Sequence, residues 1–446
     1  VKPRPEIPPG PYLVVGLARS GIAAALTLRA RGEDVICLDS GAPTGLDALT
    51  SVGVELHLGE QGLDLLDRVS TVVKSPGVPA EAPAISQARA RGMCVMGEIE
   101  LAWRLLPNEF VAVTGTNGKT TTVELIGHIH REAGLPVAVA GNVGVALSRL
   151  VGEIEQRVTV VCEASSFQLE DTLAFAPEAA VLLNVAPDHL DRHGTLDAYR
   201  KAKLELFARQ GPSDLAVVPT GFEPVGLPGQ ARRVNFGDEP SGQMSLREGV
   251  FHWEGQPLID RSELSLRGRH NLENAMAAAA VCLARGIDSD AVKAGLLSFA
   301  GVPHRLEEVA CRDGVLYVND SKATNVASTL VALETMAEDG LPAHLILGGQ
   351  GKAQDFAPLR EAVGQSCRGV YLIGEDAPLI AQALRDVGVP VRDCGELERA
   401  VRQAADAART KEVVLLSPGC ASFDQFADFE ARGERFRELV LAKGRN

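Results

Sequence analysis

The sequence predicts an α/β protein of three domains: a Rossmann-like N-terminal domain, a central domain of the P-loop ATPase type and a Rossmann-like C-terminal domain. Three observations predict it. The 446 residues exceed what one core of roughly 100 to 200 residues holds. A pattern of short apolar run, Gly-rich turn and helical periodicity restarts three times, as strand–loop–helix units of parallel sheets do. Finally, the first strand of the second set runs into a glycine turn that carries a lysine.

The first set begins at Tyr12-Leu13-Val14-Val15, continues through Val35-Ile36-Cys37-Leu38 and reaches Thr71-Val72-Val73-Lys74 before Ser75-Pro76-Gly77. The second opens with Phe110-Val111-Ala112-Val113 and includes Val137-Ala138-Val139, Thr159-Val160-Val161-Cys162 and Val181-Leu182-Leu183. A Gly/Pro-rich stretch from 211 to 262 then breaks the pattern, and runs such as Gly249-Val250-Phe251-His252-Trp253 suggest a small added sheet. The alanine-rich segment Asn274 to Ala284 reads as a buried helix. After Gly301-Val302-Pro303 the third set runs through Val315-Leu316-Tyr317-Val318, Leu345-Ile346-Leu347, Val370-Tyr371-Leu372-Ile373 and Val413-Val414-Leu415-Leu416. Domains of 1–96, 97–302 and 303–446 follow.

Composition narrows the function classes. Hydrophobic residues make up 46% and charged residues 23%, as in packed globular proteins. The 58 acidic residues outnumber the 44 basic ones, a net charge of -14 that repels nucleic acid and anionic membranes at long range. An anionic small substrate stays compatible, because a few cations and Mg2+ in one cleft reverse the field locally. Eight scattered cysteines, without C-x-x-C or ligand spacing, read as reduced, mostly buried thiols. With no signal-peptide core at the start and no apolar run of about 18 residues, a cytoplasmic protein, expected to be monomeric, is the default.

The strongest local signal is Val113-Thr114-Gly115-Thr116-Asn117-Gly118-Lys119-Thr120-Thr121, between an apolar strand and a helical run containing Leu125 and Ile129. There, backbone N–H groups and the positive helix N-terminus cradle anionic oxygens, Lys119 reaches outer phosphates and the Thr120 hydroxyl faces Mg2+. Val113 replaces the first glycine of the common G-x-x-x-x-G-K-[ST] pattern, and a turn that binds nothing is the rival reading. In the first domain, Gly16-Leu17-Ala18-Arg19-Ser20-Gly21 approximates a dinucleotide fingerprint, with Ala18 at the second glycine. Asp39 ends the next strand, where an acid bonds a ribose or base; an ordinary tight turn explains the same residues.

With the phosphate loop in this form, further segments resemble the Mur ligase family in order from Gly16 to Phe429. Glu163-Ala164-Ser165-Ser166-Phe167-Gln168-Leu169-Glu170, Asn184-Val185-Ala186-Pro187-Asp188-His189-Leu190-Asp191 and Tyr199-Arg200-Lys201-Ala202-Lys203 are similar to that family's ATPase domain. Asp320-Ser321-Lys322-Ala323-Thr324-Asn325, Gly348-Gly349-Gln350-Gly351-Lys352 and Ser417-Pro418-Gly419-Cys420-Ala421-Ser422-Phe423-Asp424-Gln425-Phe426 look like the member that adds D-glutamate. Gln350, where an acid is frequent, and Phe423, where an aliphatic residue is, depart from the pattern.

The resemblance implies ATP-dependent ligation of D-glutamate to UDP-N-acetylmuramoyl-L-alanine through an acyl phosphate, with ATP and two Mg2+ ions. It implies that the UDP-substrate site uses Gly16, Arg19, Ser20, Gly21, Asp39, Ser40, Ser75, Pro76, Gly77, Asn142 and His189. ATP then falls to residues Gly115 to Thr121, Asn271, Asn274, Arg305, which follows His304, Asp320 and Lys322. D-Glutamate, with two carboxylates, falls to Thr324, Lys352, Ser422 and Phe429. Thr120, Glu163, His189 and Lys203, the last as a carbamate, are implied as metal ligands, with Lys119 completing the catalytic set.

Taken by residue type alone, several of these positions suit a plainer role equally well. Glu163 is equally a solvated strand end, His189 a structural or exposed histidine, and Lys203 a surface lysine. Asn142 is also a common αL turn residue, and Asn271 a helix cap. Another Mur or folylpolyglutamate-type ligase is the nearest alternative activity. A nicotinamide-dependent dehydrogenase would use Gly16 to Asp39 but leave the phosphate loop idle, and a silent nucleotide-binding regulator would release no phosphate.

Overall fold

A computed structural model describes residues 2–222, 227–266, 268–351 and 354–442. The chain forms two compact units: Val1–Glu263 with Glu273–Ser298, and Leu264–Leu272 with Phe299–Asn446.

The first unit holds two sheets. One is a parallel sheet of five strands in the order Glu55–Leu58, Val35–Asp39, Tyr12–Val15, Thr71–Lys74, Cys94–Gly97. Its connections leave Tyr12–Val15 in opposite directions, so the crevice beyond Val15 and Lys74 is a switch point, where ligands settle in such sheets. Three of these strands are apolar runs evident in the sequence. Glu55–Leu58, an exposed edge of alternating polar residues, and Cys94–Gly97, which runs straight into helix Glu98–Leu105, are not among the runs the sequence announces.

The second sheet has nine strands, in the order Gln256–Asp260, Val250–Trp253, Met244–Arg247, Arg232–Gly237, Leu215–Pro219, Ala179–Leu182, Phe110–Thr114, Thr159–Glu163, Val137–Gly141. The region from 211 to 262 therefore makes no separate small sheet; it extends the central one. Arg232–Gly237 adds to Leu215–Pro219 in parallel, and Met244–Arg247, Val250–Trp253 and Gln256–Asp260 form an antiparallel meander. Its turns, Glu248-Gly249 and Glu254-Gly255, have positive φ at both residues, the two-residue geometry that matches strand twist. Helix Arg269–Ala284 is buried from Ala275 to Cys282, as its alanine content predicts.

One carboxylate joins the two sheets of this unit. Asp171 lies 2.6 Å from the Lys74 ammonium and 2.7 Å from Arg89, its carbonyl accepts from Gly97 N–H at 2.8 Å, and both Lys74 and Asp171 are buried. The Lys74 contact is an ion pair rather than an aligned hydrogen bond. Removing one partner of a buried pair leaves the other charge uncompensated, so Asp171→Ala is expected to cost about 3–5 kcal/mol in urea unfolding. A loss under about 1 kcal/mol, the range of surface pairs, would contradict this role.

The second unit has one sheet, Glu307–Arg312, Val315–Asn319, Val413–Leu416, Ala343–Gly348, Cys367–Ile373, Val391–Gly395, parallel except for its first strand. Its core packs Leu345, Leu347, Val370 and Leu415 against helix Val326–Glu338. All eight cysteines are free thiols and six are buried. Among the described residues no helix is long and apolar enough to cross a membrane.

Candidate functional site

Strand Phe110–Thr114 is buried throughout, and the chain turns at 115–118 into helix Lys119–Glu132. Gly118 caps that helix at φ +86°, and a Cβ there would meet Asn274 Oδ1 at 2.1 Å. Glycine is therefore required both for backbone conformation and for space, and Asn274 is placed on the phosphate loop. Asn184 braces the loop from the neighbouring strand end: its Oδ1 accepts from Thr116 N–H at 3.1 Å and Asn117 N–H at 2.9 Å. No local sequence signal gives Asn184 this role.

Two lysines converge on one carbonyl. Lys119 Nζ donates to Gly115 O and Thr116 O at 2.9 Å each, while Lys203 Nζ donates to the same Gly115 O at 2.7 Å. Lys203 arrives on helix Leu196–Leu204, which Thr195 starts by accepting from Ala198 N–H at 3.1 Å. Lys203 is 1% exposed. Burial first, and the like charge of Lys119 second, push its amine down to about 7. The expectation of an ordinary surface lysine is thereby excluded.

Glu163 ends its strand buried rather than solvated. Its Oε2 accepts from Thr120 Oγ1 at 2.9 Å and its Oε1 from Asn142 Nδ2 at 2.9 Å. Asn142 thus links the turn after strand Val137–Gly141 to the carboxylate beside the phosphate loop. Among the described residues no three His, Cys, Asp or Glu side chains form a ready metal cluster. Thr120 and Glu163 nevertheless supply two adjacent oxygen donors, which suits Mg2+, an ion that fills its octahedron with phosphate oxygens and water. Lys203, as an amine donor, supplies no oxygen by itself.

His189 sits in the left-handed region at φ +50° and is exposed. Its ring lies 4.9 Å from Phe167 and 6.3 Å from Tyr199, and Lys203 Nζ stands 4.2 Å over that same tyrosine. Tyr199 is thus the link between the two predicted ligands, a role no local sequence signal announces.

In the five-stranded sheet, a cavity of 450 Å³ opens at the switch point, lined by Gly16, Asp39, Ser40, Ser75, Gly77 and neighbours. Ser20 lines it too, whereas Arg19, Gly21 and Pro76 do not. Arg19 instead donates to Gly144 O at 3.3 Å. Gly21 is required by packing, since a Cβ would lie 1.9 Å from Gly16 O. The Asp39 carboxylate already accepts from Leu17 N–H at 2.7 Å and Gly41 N–H at 2.8 Å, so it shapes the turn that walls the cavity.

In the second unit, Asp320 is buried and its carboxyl pushed up to about 7 by desolvation, although Ser417 Oγ donates to it at 2.8 Å. Lys322 Nζ lies 5.7 Å from the Phe429 ring, and His304 is 6.4 Å from that ring. Arg432, absent from the sequence expectations, is buried and donates to Ser321 O at 2.9 Å, Ser321 Oγ at 3.0 Å and Cys420 O at 3.0 Å. It ties the turn carrying Lys322 to the turn carrying Ser422. Ser422 is buried, Thr324 exposed and Asn271 buried in this unit. Lys352 lies outside the described residues.

Family models match three stretches: a Mur ligase MurD-like N-terminal domain over residues 11–97, a Mur ligase middle domain over 113–282, and a Mur ligase glutamate ligase domain over 304–420. The chain is 42% identical to the UDP-N-acetylmuramoylalanine--D-glutamate ligase of Pelotomaculum thermopropionicum, over 96% of this chain and 97% of that one. It is 43% identical to the enzyme of the same name from Anaeromyxobacter dehalogenans, over 99% of both. Among solved structures, UDP-N-acetylmuramate-alanine ligase MurC from Thermotoga maritima superposes with a TM-score of 0.61 at 20% identity, covering 97% of this chain and 100% of that one. MurF ligase from the same organism, solved in complex with ADP, gives 0.59 at 17% identity over 98% and 97%. At those identities the two structures speak for the fold.

Proposed function

This chain belongs to the Mur ligase family, and we propose that it joins D-glutamate to UDP-N-acetylmuramoyl-L-alanine at the expense of ATP, in peptidoglycan precursor synthesis. The observation that carries this is Glu163, buried and bonded at once to Thr120 of the phosphate loop and to Asn142. The acid that would hold Mg2+ thereby stands between the ATP side and the turn expected to face the muramoyl substrate.

A carboxylate resists attack by an amine. The terminal phosphoryl group of ATP therefore passes first to the L-alanine carboxylate, leaving ADP and an acyl phosphate; the D-glutamate amine then attacks the acyl carbon, phosphate departs and the amine gives up a proton as the amide forms. Mg2+, when bound by Thr120 and Glu163, would neutralise phosphate oxygens as charge moves. The residues of this chain do the rest by position. Loop N–H groups and the head of helix Lys119–Glu132 orient the phosphates, and Lys119 follows the charge as it develops on the transferred group.

A second Mg2+ at His189 and carbamylated Lys203 accords with the low pKa of that amine, because only a neutral amine adds CO2. The cavity at residues 16–20, 39–40 and 75–77 suits the UDP moiety. Residues 1–96, 97–302 and 303–446 serve the UDP-substrate, ATP and D-glutamate respectively. ATP as co-substrate puts the reaction in the cytoplasm.

The test is a coupled phosphate-release assay with each substrate omitted in turn. Phosphate should appear only with ATP, the muramoyl nucleotide and D-glutamate together; release driven equally by L-lysine or L-glutamate would overturn the assignment. Within it, Lys352→Ala should raise KM for D-glutamate by about 10- to 100-fold, the scale of one charge-assisted bond, and leave KM for ATP within twofold. Equal losses for both substrates would remove Lys352 from the amino-acid site.

A further inference from the structure

We propose that Arg192 is a positioning residue that fixes the loop Ser75–Val78, and with it the muramoyl nucleotide, against the phosphate-loop domain; this rests on the substrate assignment above. Its guanidinium lies 4.6 Å over the Phe167 ring, and Nη2 donates to Val78 O at 2.9 Å and Pro76 O at 3.3 Å. Ser75, Gly77 and Val78 line the 450 Å³ cavity, so Arg192 holds the carbonyl of one wall residue, Val78, and that of Pro76, which sits between two others. The strand feeding the loop is pinned by Lys74 on Asp171 at 2.6 Å. The wall is thus gripped from both ends by residues that follow strands of the central sheet, Asp171 after Thr159–Glu163 and Arg192 after Ala179–Leu182.

Arg192 is itself held in place. The short helix Leu190–His193 and the residue that caps it place two histidines on the same ring: the cap His189 at 4.9 Å and His193 stacked at 5.2 Å. His193 is fastened by Glu170 at 3.0 Å and Ser166 at 3.0 Å. Phe167 follows four residues after Glu163. The guanidinium therefore sits where the Mg2+-facing segment, the His189 turn and the substrate wall meet. A planar guanidinium lies over the Phe167 ring while its Nη2 donates to two carbonyls, a combination that a compact ammonium on a flexible stem holds less well.

The experiment is calorimetric binding to full-length Arg192→Ala and Arg192→Lys, with UDP-N-acetylmuramoyl-L-alanine and separately with a non-hydrolysable ATP analogue plus Mg2+. For Arg192→Ala, the Kd of the muramoyl nucleotide should rise about 30-fold, within the range for charge-assisted bonds, while that of the ATP analogue stays within twofold. Arg192→Lys should lose about 10-fold in the first and nothing in the second, and it carries the test if the alanine variant fails to fold. Equal weakening of both ligands marks a merely structural residue and overturns the proposal, as does wild-type affinity for the muramoyl nucleotide in Arg192→Lys. A wild-type protein that fails to bind that nucleotide would instead overturn the function assigned above, and the proposal with it.

Discussion

Replacing Lys119 with alanine is expected to lower kcat about 1,000-fold, the scale of removing a cation that follows charge in phosphoryl transfer, while the far-UV spectrum and unfolding midpoint stay near wild type. The fold should persist because the head group bonds to carbonyls of its own loop, Gly115 and Thr116. A second consequence concerns its neighbour. Lys119 is one of the charges holding the Lys203 amine down, so its loss should move the Lys203 titration to higher pH. An Lys119→Ala variant with more than a tenth of wild-type turnover would take the phosphate loop out of the mechanism.

Lys203→Met should also silence the enzyme, by at least about 100-fold, if the amine carries the carbamate that completes a second Mg2+ site. Wild-type turnover should then fall in CO2-depleted buffer and recover on adding bicarbonate, whereas indifference to CO2 would sink the carbamate. The same substitution has the opposite effect on stability. The folded amine titrates near 7 against an ordinary 10.5, so between those values the unfolded chain binds more protons than the folded one, and stability rises with pH across that window. Below 7 the full cost of the buried ammonium is present. In CO2-depleted buffer, Lys203→Met should therefore exceed wild type in urea midpoint at pH 6.5, with the gap narrowing by pH 9.5. A constant gap would show that the lysine is not buried as a charge.

Much of the fold was legible because apolar runs such as Phe110–Thr114 and Val413–Leu416 are buried on both faces, as parallel strands require. The phosphate loop was legible for a related reason, since its strand, turn and helix are contiguous. The meander from 244 to 260 was not, because half-buried four-residue strands do not announce which sheet they join. Nor were Asn184, Arg192 and Arg432. Each acts on backbone 67, 114 and 111 residues away, and nothing near an Asn or Arg in sequence tells which distant carbonyl or N–H it will meet.

The sequence by itself determined the α/β elements, the anion-binding turn and the inventory of carboxylates, lysines and amides available for chemistry, because these depend on residues within a few positions of one another. Only the tertiary structure decided that Glu163 is buried between Thr120 and Asn142, that Lys203 meets Lys119 at Gly115 O, and that Asp39 is engaged by its own turn. The physical reason is that burial and charge proximity arise where distant segments pack, and those two quantities set how readily a lysine gives up its proton.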